Sequence, residues 1–209
     1  MTDYVFTEAG GEITPVFDFD GLYRAESDPW GQSARDGDMA AYYGHSRQRL
    51  IDALWPIHKG IGLEVGCGHG HVTALLNFGL ARPFEGMDIS PAAIEEARRQ
   101  HPGFAFHCGD ITKEHIQARQ FGTVIWSQIW WYVMADWKAA LDNTLAMLHP
   151  GGLFVVSQAF LKYQKYGREI ALGFDGARIL LQSRLNLIHA DYDDSGRYCH
   201  SDSLLIFRV

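Results

Sequence analysis

Three groups of residues in this chain have the types and spacing to do chemistry. The stretch Glu64-Val65-Gly66-Cys67-Gly68-His69-Gly70 sets glycines at every second position behind a carboxylate. Such glycines let a backbone turn tightly and approach a ligand with no Cβ in the way. Downstream, Gly86-Met87-Asp88-Ile89-Ser90 offers a carboxylate able to accept from both hydroxyls of a ribose. Beyond it, Trp126, Trp130, Trp131 and Tyr132 form the densest aromatic cluster in the chain, fit for a cationic ligand or for plain core packing. The shared chemistry is recognition of a nucleoside. A dinucleotide site of the form G-x-G-x-x-G would need its third glycine where His71 stands, while Asp88 by itself serves either ligand.

Short apolar runs alternate with amphipathic stretches, the pattern of an α/β sheet. Strands are predicted at Leu63–Val65, Phe84–Ile89, Phe104–His107, Val124–Trp126 and Leu153–Ala159, with helices over His71–Phe78, Pro91–Gln100 and Trp137–Leu148. Ser90 as cap and Pro91 in the first turn make a well-formed helix start. Pro150-Gly151-Gly152 is expected to end the last helix and turn the chain into the fifth strand. Asn186–Ala190 and Ser203–Phe207 read as two more strands, joined by Asp191–Ser201. That link is too short for a crossover helix, so the pair should be antiparallel. Residues 1–44 are aromatic, acidic and dotted with glycine, ahead of a helix near Ser46–Leu54. They read as a lid, leaving 45–209 as the ligand-binding domain of a single-domain protein.

Composition narrows the class. A chain of 209 residues with 47% hydrophobic and 21% charged residues fits one globular domain. A net charge of -7 with no block of Lys or Arg repels nucleic acid, so none is expected as partner. Cys67, Cys108 and Cys199 are odd in number and form no CxxC pair, which argues against a disulfide framework or a metal site. Free thiols, an N-terminus unlike a signal peptide and no apolar run of ~20 residues suggest a cytoplasmic protein with no membrane partner. Nothing in the sequence sets an oligomeric state.

Taken together, these elements resemble the class I S-adenosylmethionine-dependent methyltransferases over residues 45–160. The supporting motifs are Glu64 to Gly70, Asp88, Cys108-Gly109-Asp110-Ile111, Phe121 to Gln128, and Pro150-Gly151-Gly152. The resemblance implies a Rossmann-like methyltransferase fold: a mostly parallel seven-stranded sheet, a C-terminal antiparallel hairpin and helices on both faces. It implies S-adenosylmethionine as cofactor, held by Glu64, Gly66, Cys67, Gly68, Gly70, Asp88, Ile89, Gly109, Asp110, Ile111, Ser127 and Gln128. In that family the acid matching Asp110 accepts from the adenine amino group, and Ile89 and Ile111 would enclose the ring.

Within the family the chain is similar to the nodulation protein S-like group. The shared stretches are Asp28-Pro29-Trp30, Ser127 to Tyr132, Ala190 to Asp194 and Asp202-Ser203-Leu204-Leu205. This implies N-methylation of a small molecule, on a sugar or metabolite amine; O-methylation and a non-catalytic cofactor-binding subunit are the alternatives. One position departs: the group often carries Ser-Glu where this chain has Ser127-Gln128, which puts a carried-over amine-recognition role there in doubt. Methyl transfer from a sulfonium needs alignment, dryness and an unprotonated acceptor, and no metal or nucleophilic side chain. The catalytic candidates are His69, as an acceptor-side base or a shaper of the loop, and Tyr132. Trp30, Tyr43, Trp131, Tyr132 and Gln158 are the candidate acceptor contacts.

Overall fold

The computed structural model describes residues 2–116, 119–194 and 200–209; Cys199 and the middle of the expected 191–201 link lie outside the described residues. Helix α1 (Thr2–Val5) leads into a hairpin of β1 (Phe6–Ala9) and β2 (Glu12–Pro15), turned by Gly10-Gly11. Helix α2 (Phe19–Ala25) starts at Asp18, whose carboxylate accepts from the Gly21 N–H at 2.9 Å. Helix α3 (Gly37–Leu54) is longer than expected, beginning at Gly37 instead of Ser46. The reason is a buried stripe at four-residue spacing, Tyr42, Ser46, Leu50 and Leu54. The 44/45 boundary therefore falls inside a helix, and Tyr42 and Tyr43 ride on it.

The main sheet is built from β3 (Gly62–Val65), β4 (Phe84–Asp88), β5 (Phe106–Cys108), β6 (Phe121–Ser127), β7 (Leu148–Leu161), β8 (Asn186–Asp193) and β9 (His200–Arg208). Its order is β5-β4-β3-β6-β7-β9-β8, parallel from β5 to β7, with β9 antiparallel to both neighbours. Helices α4 (His71–Gly79), α5 (Pro91–Gln100), α6 (Trp130–Val133), α7 (Trp137–Ala146) and α8 (Gly173–Gln182) complete the domain. This is the Rossmann-like methyltransferase fold that the motifs implied.

Alternation along the strands sends apolar side chains to both faces. Val124, Trp126, Phe154 and Val156 join the core under Leu141 of α7 and Leu181 of α8. Ile125, Leu153 and Val155 face Leu50 and Leu54 of α3 and Leu76 of α4. Buried Trp126 is also satisfied as a polar group, its indole N–H donating to Thr144 Oγ1 at 2.9 Å. Among the described residues no helix is long and apolar enough to cross a membrane.

Most strands run a few residues past their expected ends, and two boundaries shift for a visible reason. Phe104 closes a turn, its N–H on His101 O at 3.1 Å, so β5 begins at Phe106. Helix α7 stops at Ala146, and Pro150-Gly151-Gly152 lies inside β7. Leu148 pairs with Phe121 and Leu153 with Thr123, so the residues between them bulge. Proline has no N–H to give the ladder, which favours such a bulge.

Candidate active site at the carboxyl ends of the strands

The chain runs outward from β3 to β4 and β5, then returns to place β6 on the other side of β3. That reversal opens a crevice beyond the carboxyl ends of the strands. The glycine loop leaves β3 there, tied to β4 by the N–H groups of Gly66 and Cys67 on Met87 O, at 2.8 and 3.1 Å. At Gly68 φ is 50°, and a Cβ would stand 2.5 Å from the Tyr23 hydroxyl. Only glycine fits, and Tyr23 of α2 lies directly over the loop.

Asp88 ends β4 almost fully buried, accepting from Gly68 N–H at 2.8 Å and Ser90 N–H at 3.0 Å. Burial raises its pKa, opposed by those backbone donors. Each carboxylate oxygen keeps a lone pair for a ribose hydroxyl. Glu64 is the deepest acid. Burial pushes its pKa up to about 7, against the hydroxyls of Thr73 (2.5 Å) and Ser127 and the field of Arg47.

Arg47 is a residue that the motifs did not single out. It projects from α3, its guanidinium 4.9 Å from the centre of the Tyr43 ring and one Nη on Gln32 O at 3.2 Å. Its Nε is buried without a hydrogen-bond partner among the described residues. A buried orphan donor on a cation calls for an anion. The one available signal was its spacing of four from Tyr43 on a helix face.

The far end of the crevice is less enclosed. Asp110 accepts from Thr112 N–H and Oγ1 at 2.9 and 2.7 Å and pairs with Lys113. Gly109 N–H bonds Asp88 O at 2.9 Å, joining the two acids' turns. Ile89 is 44% exposed, whereas Ile111 is packed into the core.

On the other side, Ser127 and Gln128 close β6. Gln128 Oε1 accepts from Ala159 N–H at 2.7 Å and from Gln158 Nε2 at 3.4 Å. Gln158 is buried, its own oxygen taken by Trp130 N–H at 2.9 Å, so both ends of that amide are spent on the protein. Trp130 is wholly core. Trp131 donates to Ala159 O at 3.1 Å and packs edge-on against Phe160. Tyr132 sits among Phe6, Phe17, Phe19 and Trp30, with ring centres 6.3, 5.6, 4.9 and 6.2 Å away.

The N-terminal segment thus covers both halves. Trp30 Nε1 donates to the Tyr23 hydroxyl at 2.9 Å, and the Tyr43 hydroxyl donates to Trp30 O at 2.8 Å, which joins two expected contacts. Asp20 of α2 accepts from Ser90 Oγ and Ala92 N–H at the start of α5. His69 is buried beneath Tyr23, ring centres 4.9 Å apart, and burial lowers its pKa. Among the described residues no ring contact joins the two catalytic candidates, His69 and Tyr132. Tyr23 and Asp20 gave no motif in the sequence; each acts through a distant partner.

Residues 63–152 match a family described as a methyltransferase domain. The matched stretch holds the glycine loop, Asp88, Asp110 and Gln128, the residues that line the carboxyl ends of β3, β4, β5 and β6. No curated protein sequence matches the chain. Among solved structures it is similar to the N-methyltransferase NodS from Bradyrhizobium japonicum WM9 in complex with S-adenosyl-L-homocysteine. The TM-score is 0.70 and the identity 23%, over 90% of this chain and 96% of that one. PH0226 protein from Pyrococcus horikoshii OT3 follows at TM-score 0.69 and 16% identity, covering 90% and 98%. The glycopeptide N-methyltransferase MtfA complexed with (S)-adenosyl-L-methionine gives 0.60 and 18%, covering 77% and 86%. At these identities the likeness concerns the fold. The residues present suit the cofactor: a cradle at Gly68 that admits no Cβ, spare acceptor capacity on Asp88, and an unpaired buried guanidinium nitrogen on Arg47.

Proposed function

We propose that the chain methylates an amino group of a small molecule. One observation carries this reading: Tyr132 is ringed by Phe6, Phe17, Phe19 and Trp30, with ring centres 4.9 to 6.3 Å away, an apolar surround whose burial also holds its phenol above the ordinary pKa. The chamber therefore penalises anions. A hydroxyl acceptor brought there would hold its proton more tightly and need a base. An amine would lose its proton more easily and arrive as the free nucleophile. The rings of Tyr132, Trp30 and Phe19 also favour the positive charge that grows on nitrogen during transfer.

In this reading Asp88 grips the ribose, Asp110 the adenine amino group, and Ile89 and Ile111 border the base. Glu64 and Arg47 offer opposite charges to the zwitterionic amino-acid end. The cofactor supplies a methyl group on a sulfonium. The chain's residues would hold that group in line with an acceptor nitrogen whose lone pair is free, so that the neutral thioether leaves and the nitrogen's proton passes to solvent. The segment before α3 acts as a lid that excludes water, with Tyr23, Trp30 and Phe19 as its contacts. Two of the similar structures, NodS and MtfA, are N-methyltransferases, which supports the choice of nitrogen.

The test is a purified-protein assay with methyl-labelled S-adenosylmethionine and matched amine and alcohol acceptors. The expected products carry the label on nitrogen. Label appearing only in ethers or esters would overturn the proposal.

A further inference from the structure

Gln128 holds a conformation that costs energy. Its φ is 60°, a left-handed backbone that a side chain with a Cβ rarely adopts. Such strain persists where the surroundings overdetermine it, and it concentrates at functional positions. Here its backbone N–H is tied to Ser157 O at 2.9 Å and its amide oxygen to Ala159 N–H at 2.7 Å. A backbone N–H only donates, so the atom facing it must be the oxygen, which fixes the flip of the amide.

The nitrogen therefore points the other way, toward the Tyr42 hydroxyl of α3 at 3.5 Å. That hydroxyl donates to Asp202 Oδ1 at 3.2 Å, and its oxygen accepts from Gln128. Asp202 is itself buried on β9, accepting from Ser46 Oγ at 2.8 Å and pairing with Arg49. The relay from Asp202 through Tyr42 thus orients Gln128. The contact at 3.5 Å is long, and the second hydrogen on that nitrogen meets no acceptor among the described residues. One N–H of this half-buried amide, just past β6 and next in sequence to Trp130 and Trp131, is open to an acceptor on a ligand.

We propose that Gln128 is a specificity residue that selects acceptors carrying an oxygen, as hydroxyl or carboxylate, close to the amine. Asp202 and Tyr42 are its positioning residues. A carboxylate at this position would take up an ammonium; an N–H takes up an oxygen lone pair and leaves the amine to the aromatic chamber. A site that donates to a substrate oxygen discriminates against the analogue lacking it, because its own donor is then stranded. This inference rests on the methyltransferase reading, and the experiment separates the two.

S-adenosylhomocysteine binding is measured first by calorimetry. Methyl transfer is then followed with glycine, serine, ethanolamine and glucosamine against n-butylamine and cyclohexylamine. Oxygen-bearing amines are expected to exceed plain amines in kcat/KM by about tenfold or more, the value of one hydrogen bond. Gln128→Glu should shrink that ratio by a similar factor, and Gln128→Met does so without adding charge if the glutamate variant does not fold. Normal binding with plain amines turned over equally well, with no oxygen-bearing amine methylated, or with an unchanged ratio in a folded variant overturns the proposal. Failure to bind S-adenosylhomocysteine overturns the reading of the site beneath it.

Discussion

The two sides of the crevice are held by different kinds of bond. On the β4 side, Asp88 is fixed by the backbone N–H groups of Gly68 and Ser90, and the loop by N–H groups on Met87 O. On the β6 side, backbone bonds to Ser157 and Ala159 anchor Gln128, but side chains orient the rest: the Gln128 nitrogen on Tyr42, Tyr42 on Asp202, and Tyr132 on a ring of N-terminal aromatics. Nearly every residue type brings a backbone N–H, so outside the glycines the first arrangement depends little on neighbouring side chains. The second changes whenever one side chain does. A single scaffold can in this way keep its cofactor while altering its acceptor.

The comparison breaks most visibly at Asp88. Replacing it by Ala removes the carboxylate proposed to grip both ribose hydroxyls. Calorimetry with S-adenosylhomocysteine should show affinity lower by about 100-fold or more, from two charge-assisted hydrogen bonds. An effect under threefold would mean that the β4 side is not the cofactor side.

Glu64→Gln sharpens the same side through pH. The folded-state pKa of Glu64 is about 7, raised from 4.5 by burial. Between those values the folded chain keeps a proton that the unfolded chain releases. Stability from this group is thus full below the lower value and lost as pH rises through the upper one. In the variant that slope disappears. At pH 8 it should unfold at higher denaturant than wild type, by roughly 2 kcal/mol, while binding the cofactor less well. Parallel stability curves from pH 4.5 to 8 would contradict this.

Tyr132→Ala is the matching cut on the β6 side. It should lower amine turnover by about tenfold, the scale of a cation–π contact, and leave S-adenosylhomocysteine affinity within about twofold. Equal losses in both measurements would erase the distinction between the two sides.

The same division governed what could be read from sequence. The glycine loop and Asp88 were legible because backbone geometry demands glycine and a short acid at fixed places, whatever surrounds them. Alternation gave the strands, since burial on two faces needs it. Arg47, Tyr23 and the relay from Asp202 to Gln128 were not legible. What places them at the crevice is distant in sequence, Gln32 for Arg47, Gly68 for Tyr23 and Asp202 for Tyr42, on elements whose approach only the fold decides. The start of α3 was missed for a related reason. Tyr42 reads as a lid aromatic until its four-residue spacing with Ser46, Leu50 and Leu54 is seen to bury against β9 and α4. Gln158 read as an acceptor contact because it ends a strand at the right edge; the fold spends both ends of its amide on Trp130 and Gln128.

Tyr23 spans the two sides, and its effect should be the smallest and the most telling. Its hydroxyl stands over Gly68 and takes the Trp30 N–H at 2.9 Å. Tyr23→Phe keeps the ring over His69 and removes that single acceptor, a change of about 1 kcal/mol. If the N-terminal segment were only a fixed part of the core, this loss would appear in the melting temperature and leave ligand kinetics alone. If the segment closes over a bound ligand, the cost falls on the closed state. Dissociation of S-adenosylhomocysteine should then quicken by about fivefold with association nearly unchanged, as most changes in affinity among related complexes reside in the off-rate. Stopped-flow release measurements would distinguish the two, and an unaltered off-rate would make the segment a wall instead of a lid.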